Sequence, residues 1–124
     1  MSEKIKVFDA EYKFMSIIWE NSPVTSTELA KLANSELGWK KSTTYTVLRR
    51  LAERGVLVNK NTLVSALVTR EQVMRAESEE HIEKVYDGSI KLFLATFLQK
   101  EKLGAEEIDE LRKIVDNYSS KHKE

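Results

Sequence analysis

The chain of 124 residues contains no cysteine, a single proline and only four glycines, and its formal net charge is zero. Without thiols it has neither a disulfide framework nor a thiolate metal site, which suits a reducing cytoplasm. Scarce proline and glycine leave few points at which a helix must break, so mostly helical structure is expected. No apolar run approaches the roughly 20 residues that cross a bilayer, and the N-terminal segment MSEKIKVFDAEYK holds no apolar stretch of the signal-peptide kind. Together these absences predict a cytoplasmic chain without membrane insertion. There is no nucleophile–base arrangement and no glycine-rich phosphate loop, so an enzyme is not expected. Of the two histidines, His81 sits within helical reach of Glu77, Glu80 and Lys84, a poor donor set for a metal, and His122 lies in the lysine-rich end. No cofactor or metal is expected.

What remains is a charge-rich chain, 41% hydrophobic and 32% charged, long enough for one compact domain or two small lobes. Its charges are unevenly placed. Residues 1–68 carry 10 Lys and Arg against 7 Asp and Glu, whereas residues 69–124 carry 10 against 13. The N-terminal part is therefore the candidate phosphate-facing surface.

The hydrophobic pattern gives an order of elements. Asp9 is the expected N-cap of a first helix with Tyr12, Met15, Ile18 and Trp19 at helical spacing, ending near Asn21-Ser22-Pro23. Thr25 and Glu28 form an expected capping box for a second helix bearing Leu29, Leu32, Ala33 and Leu37, ended by Gly38. A third helix runs from about Ser42 to Arg54, with Thr44, Val47, Leu48 and Leu51 as its core face, closed by Gly55. Two β-prone runs, Val56-Leu57-Val58 and Leu63 to Val68, flank Asn59-Lys60-Asn61-Thr62 and predict a hairpin. A fourth helix opens at Thr69-Arg70-Glu71 and stops at Asp87-Gly88, and a fifth is capped by Ser89. A sixth follows Gly104, with Ile108, Leu111, Ile114, Val115 and Tyr118 in register, and the end from Ser119 to Glu124 is expected to fray.

Three helices, a hairpin and further helices make the order of a winged helix-turn-helix followed by a helical arm. The expected fold is mainly α, with a winged helix-turn-helix DNA-binding domain over residues 1–70 and a three-helix dimerisation domain over 71–124. In the fifth helix Ile90, Leu92, Phe93, Leu94, Phe97 and Leu98 are apolar almost all round. One neighbouring helix cannot cover such a surface, so burial between two subunits is expected, with Ile90, Phe93, Leu94, Phe97, Leu98 and Leu111 as the dimerisation residues.

On the third helix Thr43, Thr46 and Arg50 stand at i, i+3 and i+7 and share a row opposite the core. Tyr45 and Arg49 flank that row, and Lys40 and Lys41 precede it. Arginine can bind guanine O6 and N7 bidentately, and threonine can hydrogen-bond a base edge or pack its methyl group on thymine. Lysines at the helix entrance suit phosphates. Serine and threonine are poor helix-interior residues, so the run Ser42-Thr43-Thr44-Tyr45-Thr46 asks for a reason beyond folding. The alternative from the residues alone is that Ser42 caps the helix, the threonines are incidental and the arginines pair with acidic neighbours.

Several segments carry a family resemblance: Glu11 to Trp19 (EYKFMSIIW), Val24-Thr25 with Glu28-Leu29, and Trp39-Lys40-Lys41 with Thr43. They continue through Tyr45-Thr46-Val47-Leu48, Arg50-Leu51, Gly55, Leu67 to Glu71, Asp87-Gly88-Ser89 and Phe97-Leu98. From Phe8 to about Tyr118 the chain thereby resembles the penicillinase-repressor (BlaI/MecI) family of winged-helix transcriptional repressors. The resemblance implies a homodimer on a palindromic double-stranded DNA operator, with base contacts at Thr43, Thr46 and Arg50. It also implies interlocked C-terminal helices and, in the β-lactam branch, induction by a membrane sensor metalloprotease that cuts the arm. The matching bond here is Thr96-Phe97, with threonine where the family usually has asparagine. The hairpin is shorter than the family's wing and keeps only Lys60 as a charge, and the absence of cysteine excludes the copper-responsive branch. Two other functions stay open from the sequence: a ligand-responsive regulator with Trp19, Trp39, Tyr86 and Phe93 lining a pocket, and a protein-binding adaptor that needs no basic row.

Overall fold

A computed structural model describes residues 5–100 and 102–122. The first helix, α1, spans Asp9–Asn21, and its N-cap is Phe8 rather than the expected Asp9. Phenylalanine offers no side-chain acceptor. The capping comes instead from inside the helix, where the Glu11 carboxylate accepts the Phe8 backbone N–H at 3.0 Å. Asp9 is left in the first turn, where its charge faces the positive end of the helix dipole. The buried stripe of α1 is Phe14, Met15, Ile17 and Ile18, so Tyr12 and Trp19 stand at its half-buried margins.

A two-residue strand β1, Val24–Thr25, precedes α2, Ser26–Leu37. The Thr25 hydroxyl accepts the Glu28 N–H at 3.1 Å as expected. Among the described residues only this half of the capping box forms. α2 buries Leu29 and Ala33 against the same core, with Leu32 and Leu37 partly buried. α3 follows at Lys41–Glu53, and then the hairpin strands β2, Leu57–Lys60, and β3, Leu63–Ala66. β3 lies centrally between β1 and β2, antiparallel to both.

The hairpin is tighter than its sequence suggests. Lys60 pairs with Leu63 and Asn59 with Val64, so Asn59 and Lys60 belong to β2 and the loop is only Asn61 and Thr62. Both have positive φ, 53° and 65°, the backbone of a type I′ turn whose twist matches that of the strands. The Thr62 carbonyl accepts the Ser26 N–H at 2.8 Å, which ties the hairpin tip to the start of α2.

α4 spans Arg70–Tyr86. Thr69 and Gln72 cap it reciprocally: the Thr69 hydroxyl accepts the Gln72 N–H at 3.0 Å and the Gln72 side chain accepts the Thr69 N–H at 2.8 Å. Val73 is its one buried residue among those described and joins the core of the preceding elements. The chain divides into two compact units inside α4, between His81 and Ile82. The second unit holds the last turn of α4, then α5, Ile90–Lys100, whose cap is the Ser89 hydroxyl accepting the Leu92 N–H at 3.0 Å. α6 covers Ala105–Lys121, so the helix continues through Ser119 and Ser120 where fraying was expected. Residues 123 and 124 of that segment lie outside the described residues.

One buried group in the first unit is chemically out of place. The Thr44 side chain on α3 is fully buried, and its hydroxyl has no hydrogen-bond partner among the described residues. Valine has the same shape without the unsatisfied donor and acceptor. Thr44→Val is therefore expected to raise the unfolding free energy by about 1–2 kcal/mol in urea denaturation. A destabilised variant would show that the hydroxyl is satisfied.

Candidate nucleic-acid interface

Everything on α3 depends on how its two ends are held. At the entrance, Gly38 takes φ 71° and its N–H reaches the Asn34 carbonyl at 3.0 Å, closing α2 in a left-handed turn. The Asn34 amide donates to the Trp39 carbonyl at 3.0 Å, and the Trp39 ring stacks on Phe14 of α1 with centroids 5.1 Å apart. At the exit, Arg54 caps α3 and its guanidinium pairs with the Glu11 carboxylate. The same guanidinium donates to the Lys6 carbonyl at 2.9 Å and lies over the Phe8 ring, 5.2 Å from its centroid. Between these anchors Thr44, Leu48 and Leu51 are buried, and Val47 packs partly against the core.

α3 starts at Lys41 with Lys40 as its N-cap, one residue earlier than expected, and no side chain caps it. Ser42 is therefore not the cap. Its carbonyl accepts the Thr46 hydroxyl at 2.9 Å.

Lys40, Lys41, Ser42, Thr43, Arg49 and Arg50 are exposed, whereas Tyr45 and Thr46 are half-buried. The expected row Thr43, Thr46, Arg50 is thus present, but its middle member is partly covered and its hydroxyl proton is committed to Ser42. Thr46 retains acceptor lone pairs and its methyl group for an incoming partner. Tyr45 packs partly against the core. Among the described residues neither Arg50 of the row, nor Arg49 beside it, nor either entrance lysine is held in an ion pair, so the reading in which they neutralise acidic neighbours loses its support. Lys60 is exposed at the end of β2 beside the turn.

The aromatic residues considered for a ligand pocket are occupied with other rings. Trp39 stacks on Phe14, Trp19 meets Tyr12 edge-on at 5.6 Å, and Tyr86 meets Phe93 edge-on at 5.3 Å. Trp19 also donates its indole N–H to the Val68 carbonyl at 2.9 Å. Arg70 lies over the Trp19 and Tyr12 rings at 4.9 and 5.9 Å and donates to the Ser16 hydroxyl at 3.2 Å. Arg54 and Arg70 were not singled out from the sequence as organising residues. Their acceptors are 43 to 54 positions away in the chain, where periodicity carries no signal.

In the second unit Ile90, Leu94, Phe97, Leu98 and Leu111 are 43–63% exposed, while Phe93 is half-buried against the Tyr86 and Phe97 rings. The Thr96-Phe97 bond lies inside α5, with the Thr96 hydroxyl donating to the Leu92 carbonyl at 2.8 Å. Among the described residues no group of three or more His, Asp or Glu is arranged to hold a metal, and no helix is long and apolar enough to cross a membrane.

Similarity to known proteins places the chain in a family. Over 123 residues the chain is 25% identical to the penicillinase repressor of Bacillus licheniformis, covering 96% of each. It is 29% identical over 115 residues to the methicillin resistance regulatory protein MecI of Staphylococcus aureus (strain Mu50), covering 90% of this chain and 94% of that protein. A solution structure of the DNA binding domain of the repressor BlaI aligns with a TM-score of 0.50 at 24% identity, over 58% of this chain and 93% of that domain, which shows a shared winged-helix fold. The family model described as Penicillinase repressor matches residues 8–117, nearly the whole chain. The chain therefore belongs to the penicillinase-repressor family, whose members are repressors and not enzymes.

Proposed function

We propose that this protein is a homodimeric transcriptional repressor of the β-lactam-resistance type, which reads a pseudo-palindromic DNA operator by placing α3 in the major groove. The observation that carries this reading is the outer face of α3. Two arginines and two lysines that hold no ion pair among the described residues lie beside Thr43 and Thr46, on a helix whose buried face and both ends are fixed. Arg50, with Thr43 and Thr46, contacts base edges, while Lys40, Lys41 and Arg49 neutralise phosphates. Ser42 and Tyr45 border the row and complete the contact surface. Lys60 supplies the wing's single cation, so the wing adds little to phosphate binding.

A single recognition helix reads few base pairs, and doubling the contact through a two-fold axis is the usual remedy. The exposed apolar side chains of α5 and α6 support that arrangement, because so much uncovered Ile, Leu and Phe is unusual for a chain that works alone. Two recognition helices are then about 34–36 Å apart, or a multiple of that. Release of the operator fits cleavage at Thr96-Phe97 by a membrane sensor metalloprotease. That bond is helical, so α5 must unwind locally before it can enter a protease.

Arg50→Ala is expected to weaken the cognate operator by about 1–3 kcal/mol and to relax preference at one base position, measured by quantitative footprinting on base-substituted sites. An unchanged footprint and preference would remove Arg50 from base recognition. Leu94→Asp puts a charge on an exposed position, so each chain should still fold, with unchanged helical circular dichroism. Sedimentation is expected to show monomers and operator binding to fall sharply. Dimers that persist in this variant would move the interface away from α5.

A further inference from the structure

α4 is polar on nearly every side. Among its described residues only Val73 is buried, and Met74 and Val85 stand more than half exposed. A helix of this kind gains little from apolar packing and has to be fastened by particular contacts. Arg70, its first residue, supplies one. Its guanidinium donates to the Ser16 hydroxyl at 3.2 Å and lies over the Trp19 and Tyr12 rings, 4.9 and 5.9 Å from their centroids. Tyr12, Ser16 and Trp19 stand at i, i+4 and i+7 on α1, so one side chain spans about two turns of that helix. A planar guanidinium can stack on a ring while donating within its own plane, which an ammonium cannot do.

Farther along, the Glu80 carboxylate accepts the Lys6 ammonium at 3.4 Å. Glu80 lies about 15 Å of helix beyond Arg70. Two fastenings that far apart fix a direction, not only a point of attachment. Both are referred to α3. α1 carries the Phe14 ring on which Trp39 stacks at the entrance of α3, and the Lys6 carbonyl accepts the Arg54 guanidinium at its exit. The division between the two compact units falls directly after Glu80, between His81 and Ile82. The first turns of α4 therefore belong to the winged helix, and Arg70 anchors them.

We propose that Arg70 is a positioning residue for operator recognition: by clamping the start of α4 to α1, it sets the single half-site separation that the dimer accepts. The inference rests on the reading of the protein as a dimer with α3 in the major groove. Two heads joined by a stiff connection engage both half-sites only when the span matches, whereas a compliant connection tolerates several spans. Arg70 itself reads no base. It selects among operators that carry identical half-sites at different separations.

The test uses the full chain and the duplex it selects from a random pool. That duplex is remade with a base pair inserted or removed between the half-sites, and again with one half-site alone, and binding is followed by fluorescence anisotropy. The wild type is expected to lose about 10-fold or more on each change of separation, since an added base pair also turns one half-site about the DNA axis. In Arg70→Ala the loss is expected to shrink to about 3-fold or less, with single-half-site affinity, helical circular dichroism and dimeric sedimentation unchanged. Arg70→Lys, which keeps the charge without the stack, is expected to flatten the profile to a smaller degree. A wild-type profile in both variants would overturn the proposal. So would a single-half-site affinity that falls as far as that for the whole operator, since Arg70 would then only stabilise the winged helix. If the wild-type chain itself shows no preferred separation, the reading as a two-headed dimer fails first and takes this role of Arg70 with it.

Discussion

The ion pair between Arg54 and Glu11 joins the residue that ends α3 to the first turn of α1, and it is nearly sequestered from solvent on the Glu11 side. Glu11 serves two ends at once: one oxygen takes the Phe8 N–H and so starts α1, while the other holds Arg54 and so ends α3. The pair is part-buried, so removing one partner leaves the other charge poorly solvated and loosens both helix ends at once. The opposite end of α3 is held by apolar contact, with Trp39 stacked on Phe14 of the same helix α1. α1 is thus the frame against which α3 is set. A groove-reading helix must present its side chains within a fraction of an ångström, which a helix anchored at one end could not do.

Charge placement explains how a chain of zero net charge can bind a polyanion. The excess of cations is confined to the segment that forms the winged helix, and it concentrates further at the start and on the outer face of α3. Acidic residues dominate the remainder, including the first turn of α6, where Glu106 and Glu107 complement the helix dipole. With so few cations per chain, the proposed reading makes affinity for DNA depend on two subunits acting together. The same chain leaves Ile, Leu and Phe uncovered on α5 and α6. The polar outer face of α3 and the exposed apolar side chains of α5 and α6 thereby lie in separate compact units.

The elements with strong local signals were legible in the sequence. Thr25 before Glu28, Gly38 and Gly55 after apolar stripes, and Ser89 before α5 all mark boundaries through backbone chemistry that acts over three or four residues. The row on α3 was legible for the same reason, because helical spacing alone brings Thr43, Thr46 and Arg50 together. What the sequence hid depends on distance or on very short elements. Strand β1 is only two residues and exists because β3 is there to pair with it. The hairpin turn was read as four residues because Asn59 and Lys60 look like loop formers, yet pairing with Val64 and Leu63 draws them into the strand. The organising roles of Arg54 and Arg70 depend on partners brought near only by folding.

The central claim is that α3 reads DNA as one of two symmetry-related copies. Its most direct measurement is selection of duplexes from a random pool by the full chain, followed by sequencing of the retained DNA. Enrichment of an inverted repeat is expected, with half-site centres separated by about one helical turn, roughly 10–10.5 base pairs, or a multiple of it. A retained pool with no enriched sequence, or with a single motif lacking two-fold symmetry, would contradict it.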